Sequence, residues 1–322
     1  MSDASVLCLG VVVADIFVPP LERLPAAGEL VATGEFLVQP GGCAANVALG
    51  LAALGVPAAV SGRVGEDTFG DLLVGDLFKR GIDTSAMVRS AGLHTSTTVI
   101  LPVTGEDRRY VHTFGANAAF STDDVPEDVL AAADIIYVGG YLMLPALKQA
   151  PLVASLKRAR ARGATIVLDV AVPAGTESPL SALESLLPLA DYFVPNVDEA
   201  RAMTGERDPR RQADRLMASG AQRVLIKLGE HGTYVRSAGH EFEMPAAPVK
   251  AVEPSGAGDA FAAGLIVGIR ERWDIERMVR FANVTGASAC TALGSWNGVF
   301  SRAQTEAFLE QNRLVCRAMV AA

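Results

Sequence analysis

The alternation of short apolar runs with helix-like segments between Asp134 and Leu228 constrains the fold more than any other feature of this sequence. Runs at 135–138, 165–169, 192–195 and 223–228 each suit one buried strand. Between them the spacing predicts helices over 145–162, 179–188, 197–203 and 209–220. Strands and helices in this rhythm form βα units, which build a parallel sheet with helices on both faces. The fold class is therefore α/β, a doubly wound, mainly parallel sheet in a Rossmann-like three-layer sandwich.

The flanking segments extend that frame. Residues 6–13 read as a continuous buried strand broken only by Gly10, with Asp15 at its carboxyl end. Residues 58–64 read as a strand, and Asp67 caps a helix that runs to Arg80 and stops at Gly81. Residues 233–236 and 241–244 form an edge hairpin, and helices over 257–271, 275–292 and 302–319 close the chain, the last capped by Ser301. A second hairpin, 95–103 with 108–114, has a charged tip at 104–107 and precedes Asn117 and Phe120. It pairs with a short strand over 30–38 to make a small sheet beside the main body. With half of its 322 residues hydrophobic, the chain can bury the core of one domain over 1–322.

The net charge of −8 argues against a nucleic-acid partner. Cys8, Cys43, Cys290 and Cys316 form no C-x-x-C pair, which predicts reduced thiols and no zinc site. No basic region precedes Val6, and no apolar run reaches membrane-spanning length, so a soluble cytoplasmic protein is expected.

Chemistry gathers at the turns. Ser255-Gly256-Ala257-Gly258-Asp259 leads into an apolar helix. The first N–H groups of a helix lack internal partners and carry partial positive charge, so they attract an anion. An Asp in that turn reads either as an acid–base group beside a phosphate or as a residue suited to the helix dipole. Gly41-Gly42-Cys43-Ala44-Ala45-Asn46 is a second glycine turn opening a helix, with Asn46 one turn in. Asn196 and Glu199 share the face of a helix's first turn. They read as oxygen ligands for hydrated Mg²⁺ or as a capping box. Lys227, Gly229 and Gly232 end the next strand, where a hairpin turn and a nucleotide-facing loop both fit. Strand ends on one edge of a parallel sheet share a cleft.

Gly41–Ala48, Ser255–Phe261 and Asn196-Val197-Asp198-Glu199 resemble, in order, the two signatures and the N-x-x-E motif of the ribokinase-like carbohydrate kinases, the PfkB family. The resemblance implies a transferase that moves the ATP γ-phosphoryl group to a sugar hydroxyl, usually a primary one. It implies Asp259 as catalytic base, with backbone N–H groups of Gly256, Ala257, Gly258 and Asp259 as anion hole. Asp15, Gly41, Gly42 and Asn46 would bind substrate. Asn196, Lys227, Gly229, Gly232 and Asn283 would border the nucleotide, and Glu199 with Asn196 would hold Mg²⁺ through water. Segments 14–40 and 95–116 would form a lid that excludes water and clasps a homodimer. Two departures stand out. Glu253-Pro254 replaces the usual Asp-Thr, which puts a K⁺ requirement in doubt. Gly139-Gly140-Tyr141 replaces an acidic ribose ligand, which leaves room for a ketohexose, sugar acid, nucleoside or phosphosugar. A nucleoside kinase and a non-catalytic sugar- or nucleotide-binding regulator are the competing readings. A dinucleotide-dependent dehydrogenase lacks its G-x-G-x-x-G turn.

Overall fold

Alternate side chains of a strand face opposite sides of its sheet, and the central strands here are apolar on both sides. Two cores result, one on each face. The computed structural model describes residues 5–106, 108–173, 175–176 and 179–318. In chain order its elements begin with β1 (Val6–Gly10), β2 (Val13–Phe17), β3 (Leu37–Gly41), α1 (Cys43–Ala53), β4 (Ala58–Gly65), α2 (Thr68–Lys79), β5 (Met87–Ser90), β6 (Thr97–Leu101) and β7 (Arg109–Thr113). Next come α3 (Glu127–Ala132), β8 (Ile135–Gly139), α4 (Gln149–Ala161), β9 (Thr165–Leu168), β10 (Tyr192–Phe193), α5 (Val197–Thr204), α6 (Pro209–Ala218) and β11 (Arg223–Lys227). The chain closes with β12 (Thr233–Ser237), β13 (Glu241–Met244), α7 (Ala257–Arg270), α8 (Ile275–Ala289), α9 (Arg302–Gln311) and β14 (Arg317–Ala318).

The large sheet runs β14-β13-β12-β11-β10-β9-β8-β1-β4-β5. It is parallel from β11 to β5 and antiparallel from β11 to β14. Cys8 of β1 packs with Val47 of α1, Phe261 of α7 and Phe281 of α8 in one core. Leu7 and Leu9 face the other core, with Leu156 of α4, Ala200 of α5 and Leu216 of α6. This is the expected three-layer sandwich. β1 lies between β8 and β4, so the strand order reverses there, and the carboxyl ends beside such a reversal are where sheets of this class bind ligands.

The strand expected over 6–13 is two strands. At Gly10 the chain leaves the large sheet, and β2 joins a separate four-stranded sheet ordered β3-β2-β6-β7. The Asn117 side chain occupies the break, donating from Nδ2 to the Val12 carbonyl at 2.9 Å and accepting the Val12 N–H at 3.4 Å. Asp15 thus sits in the small sheet, not at a core strand's end. The strand expected over 30–38 is β3, shifted to 37–41, and it pairs with β2 rather than with the hairpin. Asp107, at the hairpin tip, lies outside the described residues.

Three helix expectations also change. Residues 179–188 form two 3₁₀ turns, Ser181–Leu183 and Leu187–Leu189, because Pro188 cannot donate the bond an α-helix needs. α4 starts at Gln149, and Pro145 lies in the turn before it. The last helix ends at Gln311, where Leu314 buries itself and accepts a hydrogen bond from Arg280 Nε at 2.9 Å. The chain then adds β14 to the sheet edge. Met319, the expected end of that helix, lies outside the described residues.

Candidate active site

The loop before α7 turns on Gly256, which has φ 75° and ψ −2°. A Cβ there would stand 1.9 Å from the Ser295 carbonyl oxygen, so only glycine allows this approach. No side chain caps α7. The Ala257 N–H reaches back to the Pro254 carbonyl at 3.3 Å, and those of Gly258 and Asp259 follow in the helix's first turn. First-turn N–H groups without a cap form a positive, anion-seeking end.

Asp259 is the third residue of that helix. Its Oδ2 accepts a hydrogen bond from Asn46 Nδ2 of α1 at 2.8 Å. Burial pushes its carboxyl up to about 7, and the charge of Asp169 adds to this, while Asn46, Lys227 and the Cys43 thiol pull down. Helix α1 starts with Gly42 as its N-cap residue, which aims Cys43 and Asn46 at Asp259.

Below the anion-seeking turn lies a buried charge cluster. Lys227, the last residue of β11, donates from Nζ to Asp169 at 3.0 and 3.3 Å. The Tyr137 hydroxyl of β8 donates to the same carboxylate at 3.2 Å. A Cβ at Gly258 would lie 3.1 Å from Lys227 Nζ, so the ammonium sits directly against the loop. Burial works against that ammonium, but Asp169 and Glu199 outweigh it and raise its pKa. Glu199 is pushed up to about 7 by burial, with Lys227 opposing and Asp169 adding.

The turn at Asn196 is a capping box. Asn196 Oδ1 accepts from the N–H groups of Asp198 and Glu199 at 3.0 and 2.8 Å, and Glu199 Oε2 accepts from the Asn196 N–H at 2.7 Å. The Asn283 amide is likewise engaged. Thr233 Oγ1 donates to it at 2.6 Å, and it donates to the carbonyls of Met244 and Pro245 at 3.2 and 2.9 Å. It braces the β12–β13 wall beside the Gly229–His231 turn and Gly232, rather than standing open above that turn.

On the other side of Asp259, Asp15 is buried against Gly41, where a Cβ would fall 1.9 Å from Asp15 Oδ2. Ser295 Oγ donates to that oxygen at 3.2 Å. Burial pushes Asp15 up to about 7, and Asp259 adds to the rise against the bonds from Ser295 and Thr98. Arg108, just before β7, bridges the small sheet to the loop before α7. It reaches Glu253 Oε1 at 2.6 Å and Ser255 Oγ at 3.1 Å, and Glu253 Oε1 also accepts the Ser255 N–H at 2.9 Å.

Of the residues singled out in sequence, Asp15 of β2, Asn46 of α1, Glu199 of α5, Lys227 of β11 and Asp259 of α7 come together around one buried cluster, while Asn283 of α8 braces the wall beside it. Asp169, Cys43, Ser295 and the Arg108–Glu253 pair complete it. Asp169 carried a readable signal, an Asp at the end of a buried strand. The others depend on neighbours distant in sequence.

The profile of the pfkB family carbohydrate kinases matches residues 3–299. A 2-dehydro-3-deoxygluconokinase of Bacillus subtilis (strain 168) is 31% identical over 290 residues, covering 85% of this chain and 87% of the relative. The crystal structure of a putative ribokinase from Agrobacterium tumefaciens superimposes with a TM-score of 0.83 at 26% identity, over 96% of this chain and 98% of that one. A putative ribokinase II from E. coli, crystallised in complex with ATP and Mg²⁺, has the same fold, with a TM-score of 0.81 at 23% identity over 96% and 100% of the two chains.

Proposed function

The chain belongs to the pfkB family of carbohydrate kinases, and from that premise we propose that it phosphorylates a primary hydroxyl of its sugar with Asp259 as general base. The coarser activity, ATP-dependent phosphorylation of a sugar, comes with the family. One observation carries the finer reading: a buried carboxylate and a helix N-terminus that no side chain caps occupy the same helical turn. A base and an anion hole are the two parts that phosphoryl transfer needs from a protein.

In this mechanism the sugar lies between Asp15 and Asp259, held by Asp15, Asn46 and the backbone at Gly41 and Gly42. Asp259 takes the hydroxyl proton as that oxygen forms its bond to the γ-phosphorus. The bond from the γ-phosphorus to the β–γ bridging oxygen breaks, and ADP leaves. N–H groups of Gly256, Ala257, Gly258 and Asp259 meet the charge on the transferring phosphoryl, with Lys227 beneath them. The turn from Gly229 to Gly232, braced by Asn283, borders the nucleotide.

The donor set fits a metal carried in by phosphates. Among the described residues no three His, Cys, Asp or Glu side chains form a direct cage. Glu199 is nonetheless a buried carboxylate beside Lys227, with Oε2 held by the Asn196 N–H. Glu199 and the Asn196 amide would hold Mg²⁺ through its waters. When bound, Mg²⁺ offsets charge on the phosphates. The E. coli structure in complex with ATP and Mg²⁺ supports Mg²⁺ as the ion that accompanies the nucleotide.

The pH dependence tests the base. Asp259 must be ionised to take a proton, so kcat/KM should rise with pH and level off above about 7. Asp15 ionises in the same range and should steepen the rise. A profile flat from pH 5 to pH 9 would remove Asp259 as base.

Arg108 bears on the monovalent cation. The Glu253 carboxylate already holds the Arg108 guanidinium and the Ser255 N–H, which braces the anion-hole loop with a fixed positive charge. Exchanging K⁺ for choline at constant ionic strength should leave the initial rate unchanged. A rate that collapses without K⁺ would show that the loop depends on a bound ion.

A further inference from the structure

The small sheet aligns Gln39 of β3, Asp15 of β2, Thr98 of β6 and His112 of β7 in one row, each residue paired with the next. Residues in one row across a sheet share a face. Contacts between side chains continue the row. Asn297 Nδ2 donates to Gln39 Oε1 at 3.0 Å, Ser295 Oγ donates to Asp15, and Thr98 Oγ1 lies 2.9 Å from His112 Nδ1. Gln39 and Asp15 are 3% and 9% exposed. Asp259 and its partner Asn46 close the space from α7 and α1.

Three polar atoms of the row and of Asn46 are buried without a hydrogen-bond partner: Gln39 Nε2, Asn46 Oδ1 and His112 Nε2. Buried polar atoms are seldom left so, and a group of them marks where a ligand bonds. They include a donor, an acceptor and an imidazole nitrogen that serves as either, and Asp15 adds an acceptor. Hydroxyl groups, which donate and accept at once, satisfy such a mixture. A carboxylate or phosphate cannot donate, and it would add negative charge between Asp15 and Asp259. Among the described residues, hydrogen bonds to the row come from Ser295, Asn297 and its own members, and not from lysine or arginine. Lys227 is bonded to Asp169 on the phosphate side, and Arg108 to Glu253.

We propose that this row makes the enzyme selective for a neutral polyhydroxylated sugar over sugar acids and phosphosugars, with Gln39 and His112 as specificity-determining residues. The proposal rests on the kinase reading above, and names the substrate class of the same site. Its test is ADP release from ATP·Mg²⁺ with D-fructose and D-ribose, set against D-gluconate, 2-dehydro-3-deoxygluconate, fructose 6-phosphate and adenosine. A neutral free sugar should exceed every other member in kcat/KM by about a hundredfold or more. Gln39→Ala and His112→Phe should raise KM for that sugar with a smaller change in kcat, and His112→Gln should retain most of the affinity. The melting temperature of each ligand-free variant and its stabilisation by ATP should match the parent, which separates a binding role from a folding one. Preference for an acid, a phosphosugar or adenosine would overturn the proposal while leaving the kinase intact, as would variants with unchanged KM. If no member supports ADP release, the kinase reading falls and this inference falls with it.

Discussion

Asp259→Asn is expected to lower sugar phosphorylation by about 10²–10⁴-fold, the usual contribution of a general base. The substitution keeps the shape and can keep the bond from Asn46 Nδ2, because an amide oxygen accepts as a carboxylate does. ATP binding should therefore survive, and the rise of the residual rate near 7 should become shallower, with only the titration of Asp15 left. Stability should move the other way. The folded carboxyl titrates at about 7 against an ordinary 3.8, so the folded state binds more protons than the unfolded one between those values. Asp259's contribution to stability is fully present below about 4 and is lost as pH rises through about 7. Removing the charge should thus raise the melting temperature, with a gain that grows from pH 4 to pH 7. A variant less active but also less stable at pH 8 would point to a packing role instead.

Lys227→Met is expected to give the largest loss of stability. The pair it forms with Asp169 is buried, with side chains 14% and 3% exposed. Removing the cation leaves Asp169 and Glu199 facing each other in a low-dielectric site. Breaking one side of a buried pair costs about 3–5 kcal/mol. In a chain of this size that lowers Tm by about 4–7 °C. The double variant Lys227→Met/Asp169→Asn should recover part of this, since Asp169 then carries no charge and only Glu199 is left without the cation. Phosphoryl transfer should stay low in both, because the ammonium beneath Gly258 is gone in both. Equal melting temperatures for parent and single variant would show that the cluster is better solvated than its geometry implies.

The glycine turns and helix starts were legible in sequence because each is local. Gly256 and Asp259 lie within one turn, as do Asn196 and Glu199, and spacing alone puts such residues on one helix end. The alternation after Asp134 likewise gave the parallel core. What spacing could not carry was the choice of partner strand. The run from Val6 to Val13 is apolar on both sides of Gly10, and a lone glycine does not say that the chain changes sheets there and carries Asp15 into the small one. The two 3₁₀ turns within 181–189 bury Leu183, Leu186 and Leu187 at helix-like intervals, so burial imitated helical period there. Cys43 beside Asp259, Arg108 on Glu253 and the row from Gln39 to His112 join residues from separate strands and helices. Their meaning appears only once β2 lies between β3 and β6.

The central claim is that this cleft joins phosphate to a sugar oxygen. ³¹P NMR of the protein mixed with ATP, Mg²⁺ and a neutral sugar at pH 8 tests it most directly. The expected result is one equivalent of a phosphate monoester on the sugar's primary hydroxyl for each ADP formed, with no build-up of inorganic phosphate. ADP accompanied by inorganic phosphate and no ester, or ATP left intact with every sugar, would contradict it.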